Sequence, residues 1–306
     1  MAHWTPGPFE TLEYDRADSA RRPTGLTVIV PCFNERQAIE STLDLLADTL
    51  RDAELPWEII VVDDGSTDGS GELLRNRSEI RLLRHRVNRG YGASLKSGIR
   101  HARHELVAIV DADGTYPISR LPEFITLAEH ADMIVGARVG SAAKHPTLRR
   151  LPKWVLNHFA QWMTRQPIPD LNSGMRVFRK SVVERFLNIL PDGFSFTTTI
   201  TLAMLTNNYV VHYEPIAYHP RVGRSKIRPI RDTLRFVQLI LRTGMYFAPL
   251  RVFLPVATVF FLGFLVTLSL DVYHGNLNER TLLLLVAATQ LGMFALLADM
   301  IDKRSG

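Results

Sequence analysis

Glu58-Ile59-Ile60-Val61-Val62-Asp63-Asp64-Gly65-Ser66-Thr67-Asp68-Gly69 reads as a short apolar strand running into an acid-rich polar turn. The same form recurs on either side of it. Upstream, the apolar residues 26–30 run into Pro31-Cys32-Phe33-Asn34-Glu35; downstream, residues 106–110 run into Asp111-Ala112-Asp113-Gly114. Two more short runs, 80–83 and 133–135, read as strands, and helical spacing fills 37–51, 93–103 and 121–131. Strands alternating with helices predict an α/β fold with a mostly parallel sheet covered on both faces, and such sheets bind ligands at the carboxyl ends of their strands. The three polar turns therefore belong on one rim. No GxGxxG follows the first strand and no GxxxxGKS/T occurs, which speaks against dinucleotide-dependent dehydrogenases and P-loop ATPases.

The 306 residues, 46% of them hydrophobic, suffice for one large domain and a smaller addition. A net charge of +5 favours an anionic partner, whether a phosphate ligand, a lipid surface or nucleic acid. The one cysteine, Cys32, excludes an intramolecular disulfide and a cysteine-built zinc site. It sits inside the first polar turn, where close packing is expected rather than nucleophilic chemistry.

Hydrophobicity is concentrated at the end of the chain. Residues 252–270 carry no charge and at 1.5 Å each reach about 28 Å, close to the apolar thickness of a bilayer. Residues 281–298 are likewise uncharged, and the link 271–280 is short and polar. The pair predicts a transmembrane hairpin; the alternative is a buried helical pair in a soluble protein. Arg221, Arg224, Lys226, Arg228, Arg231, Arg235, Arg242 and Arg251 precede it against a single acid, Asp232, and Lys303 and Arg304 follow it. That bias predicts both termini and the large domain on the cytoplasmic side of a cell membrane or its equivalent. The polar residues 1–22, with Pro6 and Pro8, do not read as a signal peptide. Arg231, Arg235, Gln238 and Arg242 lie opposite Ile230, Leu234, Val237 and Leu241, as in an amphipathic helix at the membrane interface or one packed on the large domain. Charge gathered beside apolar runs, and not along a groove, disfavours nucleic acid as the partner.

Asp111 and Asp113, one residue apart at a strand end, suit a hard divalent cation that also takes diphosphate oxygens. Taken alone they also suit a plain turn beside Gly114, a common arrangement. Asp63 and Asp64 can accept from a base amide and ribose hydroxyls, or simply form their loop.

In order, Pro31-Cys32-Phe33-Asn34-Glu35, Asp63-Asp64-Gly65-Ser66, Asn88-Arg89-Gly90-Tyr91-Gly92-Ala93 and Asp111-Ala112-Asp113 resemble the inverting family 2 glycosyltransferases of the GT-A fold. Gly136-Ala137-Arg138, Asp170-Leu171-Asn172-Ser173-Gly174-Met175-Arg176 and Gly223-Arg224-Ser225-Lys226 resemble the polyprenyl-phosphate branch, which includes dolichyl-phosphate mannose synthases and undecaprenyl-phosphate glucosyltransferases. The QxxRW of processive polysaccharide synthases is not found. Thr115 stands where mannose synthases often carry a Gln.

The resemblance implies a Rossmann-like GT-A domain over 24–228 after a flexible tail, 1–23, then an interfacial helix, 229–250, and two membrane helices, 251–306. Pro31, Phe33, Glu35, Asp63, Asp64, Ser66, Asp111 and Ala112 would bind the nucleotide sugar, and Asp111 and Asp113 would hold Mg²⁺ or Mn²⁺. Asp113, Asp170 and Arg176 would be catalytic, although Asp170 can also cap the turn after Pro169. Arg138, Arg149, Arg150, Arg176, Ser225 and Lys226 would take a lipid phosphate; Arg149 and Arg150 read equally as a solvated basic face. The implied reaction moves one sugar from a nucleotide diphosphate sugar, of GDP-mannose or UDP-glucose type, onto polyprenyl phosphate with inversion. Its alternatives are another lipid or protein acceptor, or a membrane scaffold that binds nucleotide sugar without catalysis. Two spans per chain leave surface for helix contact between copies in the bilayer.

Overall fold

The computed structural model describes residues 23–139, 150–217, 244–246 and 248–305, apart from the side chains of 139, 150–156 and 301–305. Seven strands, β1 (Leu26–Cys32), β2 (Trp57–Asp63), β3 (Ile80–Arg84), β4 (Leu106–Ile109), β5 (Met133–Val139), β6 (Arg176–Arg179) and β7 (Val211–Ala217), form one sheet in the order β3-β2-β1-β4-β6-β5-β7. All neighbours pair in parallel except at β6, which runs against β4 and β5.

The buried strands alternate between two helical layers. Val28, Val30, Ile59, Val61 and Ala108 pack towards α1 (Ile39–Arg51) and α4 (Leu121–Leu127); Ile29, Ile60, Val62, Val107 and Ile109 pack on the other face, towards α3 (Tyr91–His101), α5 (Arg150–Thr164) and α7 (Phe196–Thr206). Burial on both faces is why these strands read as unbroken apolar runs, each aliphatic side chain contributing roughly 2 kcal/mol. Two short helices, α2 (Ser70–Arg75) and α6 (Lys180–Glu184), complete the domain.

Register brings the turns together. Leu26 pairs with both Trp57 and Leu106, so β1, β2 and β4 start level and deliver Cys32, Asp63 and Asp111 to one edge. The chain builds outward from β1 to β3, then returns to lay β4 on β1's other side, and this reversal opens a crevice between their carboxyl ends. Because β6 is reversed, its first residue, Arg176, pairs with Ile109 and Val135 and brings the loop before it to the same edge.

Residues 249–305 form two long helices, α8 (Pro249–His274) and α9 (Glu279–Ser305), each long and apolar enough to cross a membrane. Val259, Leu262, Val266, Leu283 and Phe294 lie exposed on their outer surface, which suits lipid and not the interior of a soluble protein. Asp271 closes the turn, accepting from the Asn278 amide (2.9 Å), its side-chain Nδ2 (2.6 Å) and Thr281 Oγ1 (2.5 Å). At the other end the Arg251 guanidinium donates to the Met163 carbonyl, tying α8 to α5. Of the expected interfacial helix, only 244–246 and 248–250 are described; its basic face, like the tail 1–22, lies outside the described residues.

Candidate active site

The β1–α1 and β2–α2 turns are laced together. The amides of Asn34, Glu35 and Arg36 donate to Ser66 Oγ (3.0 Å), Ser70 Oγ (3.1 Å) and Asp68 Oδ2 (3.0 Å), and the Thr67 amide returns a bond to Asn34 Oδ1 (2.8 Å). Pro31, Phe33 and Glu35 are left half-buried at the crevice. Asp63 is fully buried; its Oδ1 accepts from the Ser66 amide (2.9 Å) and its Oδ2 lies 3.1 Å from Arg84 Nε. Asp64 Oδ1 accepts from the Arg89 amide (2.9 Å) and meets His85 Nδ1 at 2.7 Å; its Oδ2 accepts from the Gly90 amide (2.8 Å). Both carboxylates and Ser66 thus shape this side of the crevice by holding its loops. Burial first, then the charges of Asp63, Glu35 and Asp68, push the Cys32 thiol up to about 12, so it stays protonated and packs, as expected.

Asp111 and Asp113 sit just beyond β4. The Tyr91 hydroxyl, at the start of α3, donates to Asp111 Oδ1 (2.9 Å), and the Thr115 hydroxyl (2.6 Å) and amide (3.2 Å) donate to Asp113 Oδ1. Ala112 is buried, and its carbonyl accepts from Thr42 Oγ1 of α1 (3.2 Å). Burial, and then the Asp111 charge, raise the pKa of Tyr91 and Tyr116, keeping both hydroxyls protonated. Tyr116 accepts the Gly174 amide (2.7 Å). No group of three His, Cys, Asp or Glu able to hold a metal occurs among the described residues. Two strand-end carboxylates fit a hard cation that arrives with a diphosphate, and not a resident all-protein metal site. Thr115, in the position of the mannose synthases' Gln, orients Asp113.

The third wall is Arg138, near the end of β5, gripped by Asp170. Arg138 donates Nε to Asp170 Oδ2 (2.6 Å) and Nη2 to Oδ1 (2.9 Å), a two-pronged contact that fixes the guanidinium plane. Burial alone would raise the Asp170 pKa, but Arg138 and the amides of Asn172 and Arg138 outweigh it and hold the carboxyl below the ordinary aspartate value. A depressed folded pKa means this pair stabilises the protein above the unfolded value near 4 and stops doing so as pH falls through the folded one. Asp170→Asn is therefore expected to lower the thermal midpoint at pH 7, with the gap to wild type closing below about pH 4 in a pH series of unfolding scans.

Arg176 departs from its expected role. It is fully buried, donating Nε to the Ser173 carbonyl (2.8 Å), Nη2 to the Leu171 carbonyl (2.9 Å) and Nη1 to Thr201 Oγ1 of α7 (2.6 Å). A guanidinium so enclosed does not reach a lipid phosphate; it holds the 171–173 loop against the sheet. Arg176→Ala is expected to destabilise the fold by about 3 kcal/mol or more, measured by denaturant unfolding, because it strands buried acceptors and opens a cavity. Arg149, Ser225 and Lys226 lie outside the described residues; Arg150 opens α5, its side chain likewise outside.

Tyr91, Thr115, Tyr116 and His85 join the site without having been assigned roles from the sequence. The signal for Tyr91 was its place in Asn88-Arg89-Gly90-Tyr91-Gly92-Ala93.

A doubly covered, mostly parallel sheet with acid-bearing strand-end turns, followed by an apolar hairpin, defines a GT-A-like transferase architecture. Residues 27–187 match glycosyl transferase family 2 and residues 248–303 match the GtrB C-terminal hairpin. The chain belongs to glycosyl transferase family 2. Similar proteins include the low-salt glycan biosynthesis hexosyltransferase Agl6 of Haloferax volcanii, 27% identical over 231 residues, which are 74% of this chain and 55% of that protein. The undecaprenyl-phosphate 4-deoxy-4-formamido-L-arabinose transferase of Pseudomonas savastanoi is 29% identical over 240 residues, 74% of this chain and 67% of that protein. The chain thus spans between about half and two thirds of the length of these curated relatives. In fold it is similar to glucosyl-3-phosphoglycerate synthase of Mycobacterium tuberculosis, solved with Mn²⁺, UDP-glucose and phosphoglyceric acid, at a TM-score of 0.58 and 17% identity over 74% of this chain and 81% of that one.

Proposed function

We propose that this chain transfers one sugar from a nucleotide diphosphate sugar to a polyprenyl phosphate at a membrane surface, with inversion and with help from Mg²⁺ or Mn²⁺. The observation that carries the acceptor class is the Arg138–Asp170 fork. A hydroxyl acceptor needs a base to take its proton, and Asp170, kept ionised and low by Arg138, is a weak one. A phosphate monoester, with a second pKa near 6, arrives largely deprotonated and needs only a cation to position it. Names among the relatives point the same way, since the Pseudomonas protein is an undecaprenyl-phosphate transferase.

In the proposed step an acceptor phosphate oxygen, placed by Arg138, attacks the anomeric carbon from the side opposite the diphosphate. The new C–O bond forms as the bond to the diphosphate breaks; the electron pair leaves with the nucleoside diphosphate, no proton moves, and configuration inverts. Asp111 and Asp113 would hold the divalent ion, which supplies charge neutralisation for the leaving diphosphate. Tyr91 and Thr115 fix those carboxylates beforehand, the preorganisation on which such electrostatic catalysis depends. Pro31, Phe33 and Glu35 would line the nucleotide pocket, 24–228 would form the catalytic domain, and the hairpin would keep its rim at the headgroups, with both termini cytoplasmic.

The test incubates detergent-purified protein with Mg²⁺ or Mn²⁺, undecaprenyl or dolichyl phosphate and a panel of radiolabelled nucleotide sugars including UDP-glucose and GDP-mannose. Label entering the organic phase from one donor, and lost on chelation, is the expected result. Nucleotide binding without lipid-linked label from any donor would reject the reading.

A further inference from the structure

Asp170 serves two neighbours with one oxygen. Its Oδ1 accepts from Arg138 Nη2 (2.9 Å) and from the backbone amide of Asn172 (3.0 Å), so Arg138 and Asn172 hang from the same atom. The Asn172 side chain is oriented from the other direction. Thr198, fully buried in the first turn of α7, donates its hydroxyl to Asn172 Oδ1 at 2.5 Å. A hydroxyl has one hydrogen, and here it goes to the amide oxygen; the oxygen end therefore faces α7 and the NH₂ end, with two donors and no acceptor, faces away. No described residue accepts from that NH₂, and Asn172 is only partly buried.

We propose that the Asn172 amide is a second prong beside Arg138 that donates to a phosphate oxygen of the acceptor, with Thr198 as its positioning residue. The inference rests on the reading that Arg138 receives the acceptor phosphate. The chemistry fits an oxyanion: two N–H donors, held at a fixed offset from a cation by a shared carboxylate, match an oxygen that carries charge and offers several lone pairs. A neutral amide adds this bond without adding charge to a rim already bearing Asp111, Asp113 and Asp170.

The experiment measures equilibrium binding of radiolabelled undecaprenyl phosphate to the full chain in lipid nanodiscs, with undecaprenol as the phosphate-free control and UDP and GDP binding measured in parallel. Asn172→Ala is expected to weaken undecaprenyl phosphate binding about tenfold, the size of one hydrogen bond to a charged oxygen, with undecaprenol and nucleotide binding unchanged. Asn172→Asp keeps the shape and the Thr198 bond but turns the donor end into an acceptor, so it should weaken binding more than Ala. Thr198→Val should lose several-fold and Thr198→Ser should recover it, with undecaprenol and nucleotide binding unmoved in both; a merely structural role of the Thr198–Asn172 bond would instead shift the controls together with undecaprenyl phosphate binding. Arg138→Ala separates the two readings. If it leaves undecaprenyl phosphate binding unchanged, the acceptor site lies elsewhere and the parent reading falls. If it weakens binding while Asn172→Asp does not, or if Asn172→Asp weakens nucleotide binding instead, the second prong is overturned and the parent reading stands.

Discussion

Asp113→Asn is expected to reduce sugar transfer by at least about 10³-fold while leaving thermal unfolding within a degree or two of wild type. The substitution is isosteric, and Thr115 Oγ1, 2.6 Å from Asp113 Oδ1, can still donate to the amide oxygen, so the turn after β4 keeps its shape. What disappears is a full negative charge at the point where a divalent ion and a diphosphate would meet. Initial rates of label entering the lipid phase provide the measurement. A rate within tenfold of wild type would remove Asp113 from the metal role and leave the turn-forming explanation of the Asp111-Ala112-Asp113 sequence.

Gly174→Ala should be nearly as damaging, by a steric route. A β-carbon built on Gly174 would lie 2.2 Å from Asp111 Oδ2 and 2.8 Å from its Oδ1, far inside van der Waals contact. Asp111 cannot retreat freely, because Tyr91 holds its Oδ1, and the loop cannot retreat freely either, because the Gly174 amide is bonded to the buried Tyr116 hydroxyl. Relieving the overlap has to displace the Asp111 carboxylate or the loop from these positions. A rate loss of about 100-fold or more is expected, with a stability loss of about 1–3 kcal/mol in denaturant titration. Gly114→Ala makes the contrast: its β-carbon would meet nothing within 4 Å, but φ is +70°, so the cost is about 1 kcal/mol of backbone strain with little change in rate. If Gly174→Ala and Gly114→Ala proved equally active, the close approach of Gly174 to Asp111 would not matter to the chemistry.

In the first half of the sheet β1, β2 and β4 are legible because they are buried on both faces, so composition alone marks them, and because each ends in a polar turn; β3, a half-buried edge strand, shows only as a short apolar run. Of the second half only β5, through its apolar residues 133–135, could be read in the same way. β6 has four residues with arginines at both ends, and its pairing is set by long-range contacts that no local pattern encodes. β7 contains Glu214 and Pro215, tolerated because it is an edge strand. Residues 196–205 of α7 are all buried, so it lacks the one-sided stripe by which a helix is recognised, and its β-branched threonines weaken the helical signal. The same physics limited the site. Asp111, Asp113, Arg138 and Asp170 could be selected by residue type and motif. Whether a charged group faces the crevice or the core depends on the tertiary fold, which is why Arg176 was expected at the acceptor and lies beneath the loop instead.

Loops that carry catalytic groups usually belong to the least stable parts of a protein, opening locally far more often than the whole chain unfolds. The bonds from Arg176 to the Ser173 and Leu171 carbonyls and to Thr201 place the 171–173 segment in a different regime. It cannot open without breaking a buried polar cluster shared by β6 and α7, so its amides should exchange with solvent about as slowly as those of the central strands. This wall of the crevice is therefore a fixed reference surface, the part of the site whose geometry should change least between one condition and the next.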